Sequence, residues 1–188
     1  EIDSPAVKEV YSKEANLNAN ENLNKIIKEA PLKTEDKPHF YLYRLIMDGR
    51  SQTGICATFS VDDYDNDVIL KHEKTRKVKE DDRTNHIVTT EAQTGVVFLT
   101  YRGVKSVNEL VNKTLNEVKP EYDFTAPDGI QHTVWIMPEQ YTEMIVNEFK
   151  NINKLYIADG HHRAKSASRA KEEKMKANPN HKGDEEYN

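Results

Sequence analysis

The chain has 188 residues, with 27 Lys and Arg against 32 Asp and Glu, which gives a formal net charge of −5 at pH 7. This length fits one domain, or one domain with an appendage, and the acidic balance argues against broad binding to nucleic acid. No run of about 18 apolar residues occurs, so the sequence predicts no membrane span. The single cysteine, Cys56, excludes an internal disulfide and suits a reducing compartment, so we expect a cytoplasmic protein.

The first predicted element is a long helix. Ser4 and Pro5 are typical of a helix start, and apolar side chains then recur every three or four residues as far as Pro31. This pattern predicts a helix of about 25 residues. We therefore expect residues 1–38 to form an N-terminal helix and a linker.

Two hairpins follow along the chain. Residues 39–46 and 54–61 are strand-like and flank Asp48-Gly49, a dipeptide suited to a tight turn. Residues 122–125 and 130–136 flank a second turn signal that ends at Gly129. Predicted helices lie between and after the hairpins, so we expect an α+β fold, with a mixed sheet of antiparallel hairpins and flanking helices.

These elements predict three regions. Residues 39–177 form the main α+β domain, and residues 178–188 form a polar tail. The chain starts without Met, close to a predicted helix, and stops inside a polar stretch. We therefore expect it to be a section of a longer protein.

The strongest local signal for function is an apolar strand that runs through a glycine turn into a helix. A helix start offers free main-chain N–H groups and a partial positive charge, which together favour an anion. Gly160 allows close approach of a ligand, and His161, His162 and Arg163 add donors at the same place. Asp159 is a candidate to bind a metal ion or to orient a histidine. The alternative is an Asp that caps the helix beside surface histidines.

A second segment has a helical but polar pattern from Val68 to His86, and its residues 71–86 are highly charged. On a helix, steps of four and three residues place five side chains on one face: His72, Arg76, Lys79, Arg83 and His86. Such a face repels itself unless an anion or an acidic surface lies opposite. The alternative is a solvated helix without a specific role. The scarcity of apolar residues favours an inward-facing cationic face, and both interpretations stay open.

Three stretches in this order resemble a mostly bacterial family known as domain of unknown function 1015. They are residues 71–86, the strand Phe98–Tyr101 and the segment Tyr156–Arg163. The resemblance covers the chain from the first hairpin to the tail. Family members are longer, so the resemblance implies that this chain is a middle section of a larger protein.

The resemblance also implies a fold and an activity. The family is similar to archaeal ADP-dependent kinases that phosphorylate free serine, and it is grouped with ParB-like regulators and sulfiredoxin, which implies a ParB/sulfiredoxin-like fold. In that superfamily a turn from Gly to Arg at a helix start holds nucleotide phosphates, and Gly160 to Arg163 match it. By the same resemblance, these residues would face the nucleotide or the substrate: His72, Glu73, Thr75, Arg76, Lys79, Arg83 and His86.

We therefore expect a nucleotide-binding domain that transfers a phosphoryl group from ADP or ATP to a small hydroxyl compound such as free serine, with Mg²⁺. The expected catalytic residues are His72, Glu73 and Arg76, and the expected metal ligand is Asp159. The nucleotide and its phosphates would be bound by Asp159, Gly160, His161, His162, Arg163, Thr75, Lys79, Arg83 and His86.

Two other functions remain as alternatives. The first is a non-enzymatic, ParB-like regulator that binds a nucleotide to switch its conformation or to form a homodimer. The second is a DNA-associated module, which is disfavoured because the chain is acidic and carries no convincing helix-turn-helix. The resemblance also implies that the catalytic base lies outside this chain, before the region matched here.

Overall fold

The structure is a computed structural model that describes residues 12–30 and 34–188. Its helices and strands, in chain order, are α1 (Lys13–Glu29), β1 (Tyr41–Met47), β2 (Arg50–Cys56), α2 (Val61–Asp65), β3 (Ile69–Leu70), α3 (Lys77–Thr90), β4 (Phe98–Thr100), α4 (Lys105–Glu117), β5 (Tyr122–Thr125), β6 (Gln131–Ile136), a 3₁₀ helix (Glu139–Tyr141), α5 (Thr142–Lys150), β7 (Leu155–Asp159) and α6 (His161–Ala177). The chain folds as two compact units. Unit 1 combines residues 1–34, 60–100 and 154–188, and unit 2 combines 35–59 and 101–153.

Unit 2 is a four-stranded antiparallel sheet with two helices. The strand order is β2-β1-β6-β5, and both predicted hairpins, β1–β2 and β5–β6, form. The predicted return strand 54–61 is wrong in its second half, because β2 starts directly after the Asp48-Gly49 turn and ends at Cys56. Asp48 and Gly49 have positive φ angles of 51° and 76°, as the tight turn requires. The strands bury one face against α4 and α5, where six side chains form the core: Leu42, Leu110, Trp135, Met137, Tyr141 and Ile145.

Unit 1 is built on the three-stranded sheet β3-β7-β4. The central strand, β7, pairs in parallel with β3 and antiparallel with β4. Leu155 and Ile157 of β7 are buried, as an interior strand requires. Helix α6 follows β7 directly and packs against α3 and α2, while α1 packs against α3. These contacts place the start of α6 beside α3.

The first helix begins later than predicted. Ser12 has extended backbone, with φ −75° and ψ 160°, and its hydroxyl accepts a hydrogen bond from the Ala15 N–H at 3.1 Å. Ser12 is therefore the N-cap, and a single helix across residues 5–30 is wrong. The predicted start at Ser4 and Pro5 lies outside the described residues. Ile26 and Ile27 of the predicted apolar stripe are more than half exposed.

The predicted helix from Val68 is also wrong in its first half. Ile69 and Leu70 form β3, because Ile69 pairs with Leu155 and the Leu155 N–H donates to the Val68 carbonyl at 3.0 Å. Residues 71–76 form a connection without helical structure, and α3 begins only at Lys77. The strand forms because a distant apolar segment supplies its hydrogen-bond partners, which overrides the local helical pattern.

The fold class α+β is confirmed, with six α-helices among the described residues and both parallel and antiparallel strand pairing. The predicted span 39–177 contributes to both units, and residues 178–188 belong to unit 1. In the part of the chain that the structure describes, no helix is long and apolar enough to cross a membrane.

Candidate functional site

The predicted strand, glycine turn and helix form as expected in unit 1. Strand β7 ends at Asp159, Gly160 is the N-cap, and α6 begins at His161. Gly160 has φ +98°, in the left-handed region that favours glycine. The chain therefore turns sharply from the buried strand into a helix of 17 residues, whose first N–H groups lack helical acceptors.

Arg163 folds back over this turn. Its Nη2 lies 2.5 Å from the Asp159 Oδ2, and the Arg163 side chain remains 32% exposed. A Cβ atom at Gly160 would lie only 2.9 Å from that Nη2, so the absence of a side chain there makes room for the guanidinium. Asp159 is therefore an ion-pair partner of Arg163 at the mouth of the turn.

The two histidines bind the connection 71–76. The buried His161 ring accepts a long hydrogen bond from the His72 N–H through Nε2 at 3.5 Å, and its Nδ1 lies 3.4 Å from the Glu73 Oε2. The His162 Nε2 accepts from the Arg76 N–H at 3.1 Å. Accepting through Nε2 places the ring proton on Nδ1 in both neutral imidazoles. The histidines thus join the connection that carries three predicted site residues to the start of α6.

The environment of His162 agrees with this role. Burial lowers the pKa of the His162 imidazole, and the nearby cations Arg83 and Lys79 lower that pKa further. Glu73 and Glu80 raise it by less. A neutral ring is the form that accepts a hydrogen bond.

Helix α3 carries only part of the predicted cationic face. His72 and Arg76 precede the helix, whereas Lys79, Arg83 and His86 share one side of it. The inward-facing positions are Thr84 and Thr90, which are buried, while Lys79 is exposed. Of the two interpretations left open for this segment, neither holds for the whole face: Lys79 is exposed to solvent, whereas Arg83 and His86 are half-buried and line a cavity.

Glu80, also on α3, is held by neighbouring groups. Its side chain accepts from the Thr75 hydroxyl and lies 3.3 Å from the Arg169 Nη1 of α6. The other Arg169 nitrogen, Nη2, lies 2.6 Å from the Asp81 Oδ1. Thr75 and Glu80 therefore help to join the connection 71–76, α3 and α6.

A cavity of about 180 Å³ brings together residues that are distant in the sequence. Helix α3 contributes Arg83, His86 and Ile87, the turn before β4 contributes residues 93–95, and α6 contributes Arg163. The His86 Nε2 lies 3.3 Å from the Thr94 Oγ1. The described lining contains two guanidinium groups and an imidazole but no carboxylate. The cavity is thus suited to an anion.

A second, open cavity of about 530 Å³ lies beside the connection 71–76. Its charged lining is mixed, with three lysines and two carboxylates: Lys71, Lys74, Lys165, Asp65 and Glu73. Tyr64 lies at its base, where burial, with smaller effects from nearby carboxylates, raises the pKa of the phenol to about 12. This phenol is therefore neutral at physiological pH.

Comparison with known protein families gives a match over the whole chain. The family described as "Protein of unknown function (DUF1015)" matches residues 1–188. The chain belongs to the DUF1015 family. No curated protein and no solved structure matches it. The family resemblance predicted from the motifs is confirmed, and the family description does not assign an activity.

In this DUF1015 chain the predicted site residues do not all line the same cavity. Arg83, His86 and Arg163 meet at the smaller cavity, and Glu73 and Thr75 line the larger one. The sequence carries little signal for the 93–95 turn, since a single glycine before an apolar run is common. That turn reaches the site through the packing of β4 beside β7, which a local pattern does not reveal.

Magnesium binding at Asp159, the predicted ligand, depends on which other side chains lie near that carboxylate. Among the described residues, no group of three or more His, Cys, Asp or Glu is placed to hold a metal ion. Asp159 is a single carboxylate that pairs with Arg163. Magnesium in proteins is often bound by one or two carboxylates together with substrate phosphates and water. Metal binding at Asp159 therefore stays a prediction.

Proposed function

We propose that unit 1 binds the phosphate groups of a nucleotide such as ADP or ATP. The observation that carries this proposal is the 180 Å³ cavity, where Arg83, His86 and Arg163 converge without a carboxylate in the described lining. Guanidinium groups bind phosphate oxygens through paired N–H donors. The ion pairs described between α3 and α6 join Arg169 to Glu80 and Asp81, and Arg83 takes part in neither of them.

The cavity size supports phosphate binding rather than enclosure of a whole nucleotide. Typical small-molecule pockets have volumes of roughly 300–1,000 Å³. A cavity of about 180 Å³ therefore suits the phosphates, with the base and sugar lying outside it. Arg163 lies in the first turn of helix α6. The free main-chain N–H groups of that turn add a partial positive charge near its side chain.

The preferred activity is phosphoryl transfer to a small hydroxyl compound such as free serine. With ADP as donor, the acceptor hydroxyl would give its proton to the base that the family resemblance places before this region, and its oxygen would attack the β-phosphorus. The bond to the leaving phosphate oxygen would break, and AMP would be released. Arg83 and Arg163 would hold the transferred group, while Arg76 and Lys79 would offset its charge. His72 and Glu73 would position the acceptor. Magnesium would supply further charge neutralisation, and the protein would act in the cytoplasm.

A nucleotide-binding regulator is the second candidate, and one observation favours it. Glu73 contacts His161, and Glu80 is engaged by Arg169 and Thr75. A general base needs a carboxylate that can reach the acceptor hydroxyl. With both carboxylates engaged, unit 1 would bind a nucleotide without turnover, and a change of conformation or homodimer formation would be the output.

The binding proposal is tested by substituting Arg83. We expect Arg83→Ala to weaken ADP or ATP binding by roughly 10- to 100-fold, as expected for the loss of a charged hydrogen-bond donor. Calorimetry measures the affinity, and melting temperatures with ADP, ATP, CTP and GTP, with and without Mg²⁺, identify the nucleotide.

The matched control is Lys105→Ala, which removes one positive charge from an exposed position in unit 2. Its affinity should equal that of the parent chain. Equal affinity of Arg83→Ala and the parent chain would show that the cavity does not hold the phosphates.

A product assay separates the two candidate functions. Incubation of the full-length protein with serine and ADP or ATP should yield phosphoserine if the protein is a kinase. Tight nucleotide binding without phosphoserine would favour the regulator. Measuring the dimer fraction with and without nucleotide then tests whether binding changes assembly.

A further inference from the structure

Two glycines enclose the side chain of Arg163. A Cβ atom built at Gly95 would lie 3.0 Å from the Arg163 Cδ and 3.7 Å from its Nε. On the other side, a Cβ at Gly160 would lie 2.9 Å from Nη2 and 3.0 Å from Nε. The side chain therefore occupies a slot that exists because neither position carries a side chain.

The two glycines are required for different reasons. Gly160 has a positive φ angle, so its backbone alone favours glycine. Gly95 has no positive φ angle, so alanine fits its backbone. Among the described residues, Arg163 supplies the only atoms within 4 Å of a Cβ at position 95, apart from the adjoining residues. The packing at Gly95 is therefore specific to Arg163.

The other glycines without a positive φ angle differ in this respect. A Cβ at Gly54 would meet nothing within 4 Å, and a Cβ at Gly103 would reach only the Asn108 Nδ2 at 3.9 Å. Both sites have room for a methyl group. The close approach at Gly95 is therefore not a general property of the loops and strands of this chain.

The slot fixes an arginine whose donors are incompletely used. The Arg163 Nε is buried and has no hydrogen-bond partner among the described residues, while Nη2 binds Asp159. A buried donor without an acceptor is unfavourable. An oxyanion in the cavity that Arg163 and Gly95 both line would instead accept from the exposed part of the same guanidinium, which the buried Nε and its neighbours hold in place.

We propose that Gly95 is a positioning residue that holds Arg163 for the phosphate of the bound ligand. This inference rests on the proposed function and extends it to a residue of the 93–95 turn. Gly95 acts through the arginine stem, by leaving room for the position in which the guanidinium contacts Asp159 and lines the cavity. A methyl group at position 95 displaces the Arg163 Cδ and moves the guanidinium away from the anion.

The test compares Gly95→Ala with the matched control Gly54→Ala, using inorganic pyrophosphate and ADP as probes in calorimetry. We expect Gly95→Ala to weaken both probes by roughly tenfold, because a displaced guanidinium loses a charged hydrogen bond. Gly54→Ala should bind as the parent chain does. Thermal unfolding and circular dichroism check that both variants keep the fold.

A double-mutant cycle separates positioning from a general structural effect. In the Arg163→Ala background the methyl group at position 95 has nothing to displace, so Gly95→Ala should cause no further loss of affinity. A further loss of similar size would overturn the role of Gly95. If Gly95→Ala alone does not fold, the double variant, which lacks the collision, should fold, and its failure to fold would also overturn the inference.

The outcomes distinguish this inference from the proposed function. Binding by the parent chain with unchanged affinity in Gly95→Ala overturns the role of Gly95 and leaves the phosphate site in place. Absence of binding by the parent chain to either probe overturns the phosphate site, and the role of Gly95 with it.

Discussion

The two units of this chain are stabilised by different kinds of interior. Unit 2 buries the apolar cluster around Leu42 and Trp135, and the buried polar side chains described there are Thr114 and Thr133. In unit 1 the described buried side chains include seven polar or charged ones: Asn16, Thr84, Thr90, His161, Ser166, Ser168 and Lys171. Polar interiors need hydrogen-bond partners, so unit 1 depends more on directional contacts than unit 2 does.

The contacts between α3 and α6 show what this difference achieves. The Ser166 hydroxyl donates to the Glu80 carbonyl at 3.3 Å, and Arg169 binds both Glu80 and Asp81. These bonds fix the two helices that carry Arg83 and Arg163. Unit 1 therefore relies on buried hydrogen bonds and ion pairs to fix its helices, whereas unit 2 relies on a hydrophobic layer.

The largest change in stability is expected in unit 2, where it tests whether the apolar cluster is the core. Leu42 is fully buried in the apolar cluster, so Leu42→Ala should lower the free energy of unfolding by about 2–5 kcal/mol through lost transfer energy and a new cavity. Urea denaturation measures the change. Leu17→Ala on α1, where the side chain is 47% exposed, serves as the control and should change stability by less than about 0.5 kcal/mol. A similar loss in both variants would contradict the assigned core.

Replacing two buried threonines by valine should change the free energy of unfolding by a smaller amount, and in opposite directions in the two units. The Thr114 hydroxyl in unit 2 donates to the Leu110 carbonyl at 3.0 Å, whereas the Thr84 hydroxyl in unit 1 has no partner in the described structure. Thr114→Val should cost about 1 kcal/mol, and Thr84→Val should stabilise by up to about 1 kcal/mol. Urea midpoints of the two variants measure the difference. Destabilisation of both would show that the Thr84 hydroxyl has a partner in solution.

The smallest expected effect is the pH dependence of the free energy of unfolding. His162 has a lowered pKa in the folded state, so below its ordinary value of 6.5 the unfolded chain binds more protons. The free energy of unfolding should be highest above about pH 6.5 and should fall as the pH decreases toward the folded pKa. Melting temperatures between pH 5 and 8 measure the slope.

The variant His162→Asn sharpens this last test. Asparagine is polar and does not titrate, and its shorter side chain gives up the bond that the His162 Nε2 accepts from the Arg76 N–H, so the slope should become flatter. His39→Asn, which removes one imidazole from unit 2, is the matched control for the loss of a histidine. An unaltered slope in His162→Asn would assign the pH dependence to other groups.

Local chemistry predicted much of the fold. The Asp48-Gly49 turn, the turn at Gly129 and the strand that leads to Gly160 are each determined within a few residues, and all three form as expected. The family was also recognisable from its motifs. These features depend on short-range sequence, which a single chain displays directly.

Features set by distant contacts were harder to predict. The spacing of charged side chains in residues 71–86 is typical of one helix. The structure instead pairs Ile69 with Leu155 in a sheet, and His72 contacts His161, which is 89 residues away in the sequence. The cavity was only partly predicted: Arg83, His86 and Arg163 were expected at a phosphate site, whereas Gly95 was not. The ParB/sulfiredoxin-like fold and the kinase activity stay proposals, since they came from the resemblance alone.

The late position of β7 in the chain has a consequence for synthesis. The cation-bearing helix α3 leaves the ribosome long before β7 and α6, because unit 1 is completed only by residues 154–188. During translation α3 therefore lacks the neighbour with which it forms the smaller cavity. A nascent chain arrested just before β7 would contain all of unit 2, but it would lack the Arg163 side of the smaller cavity.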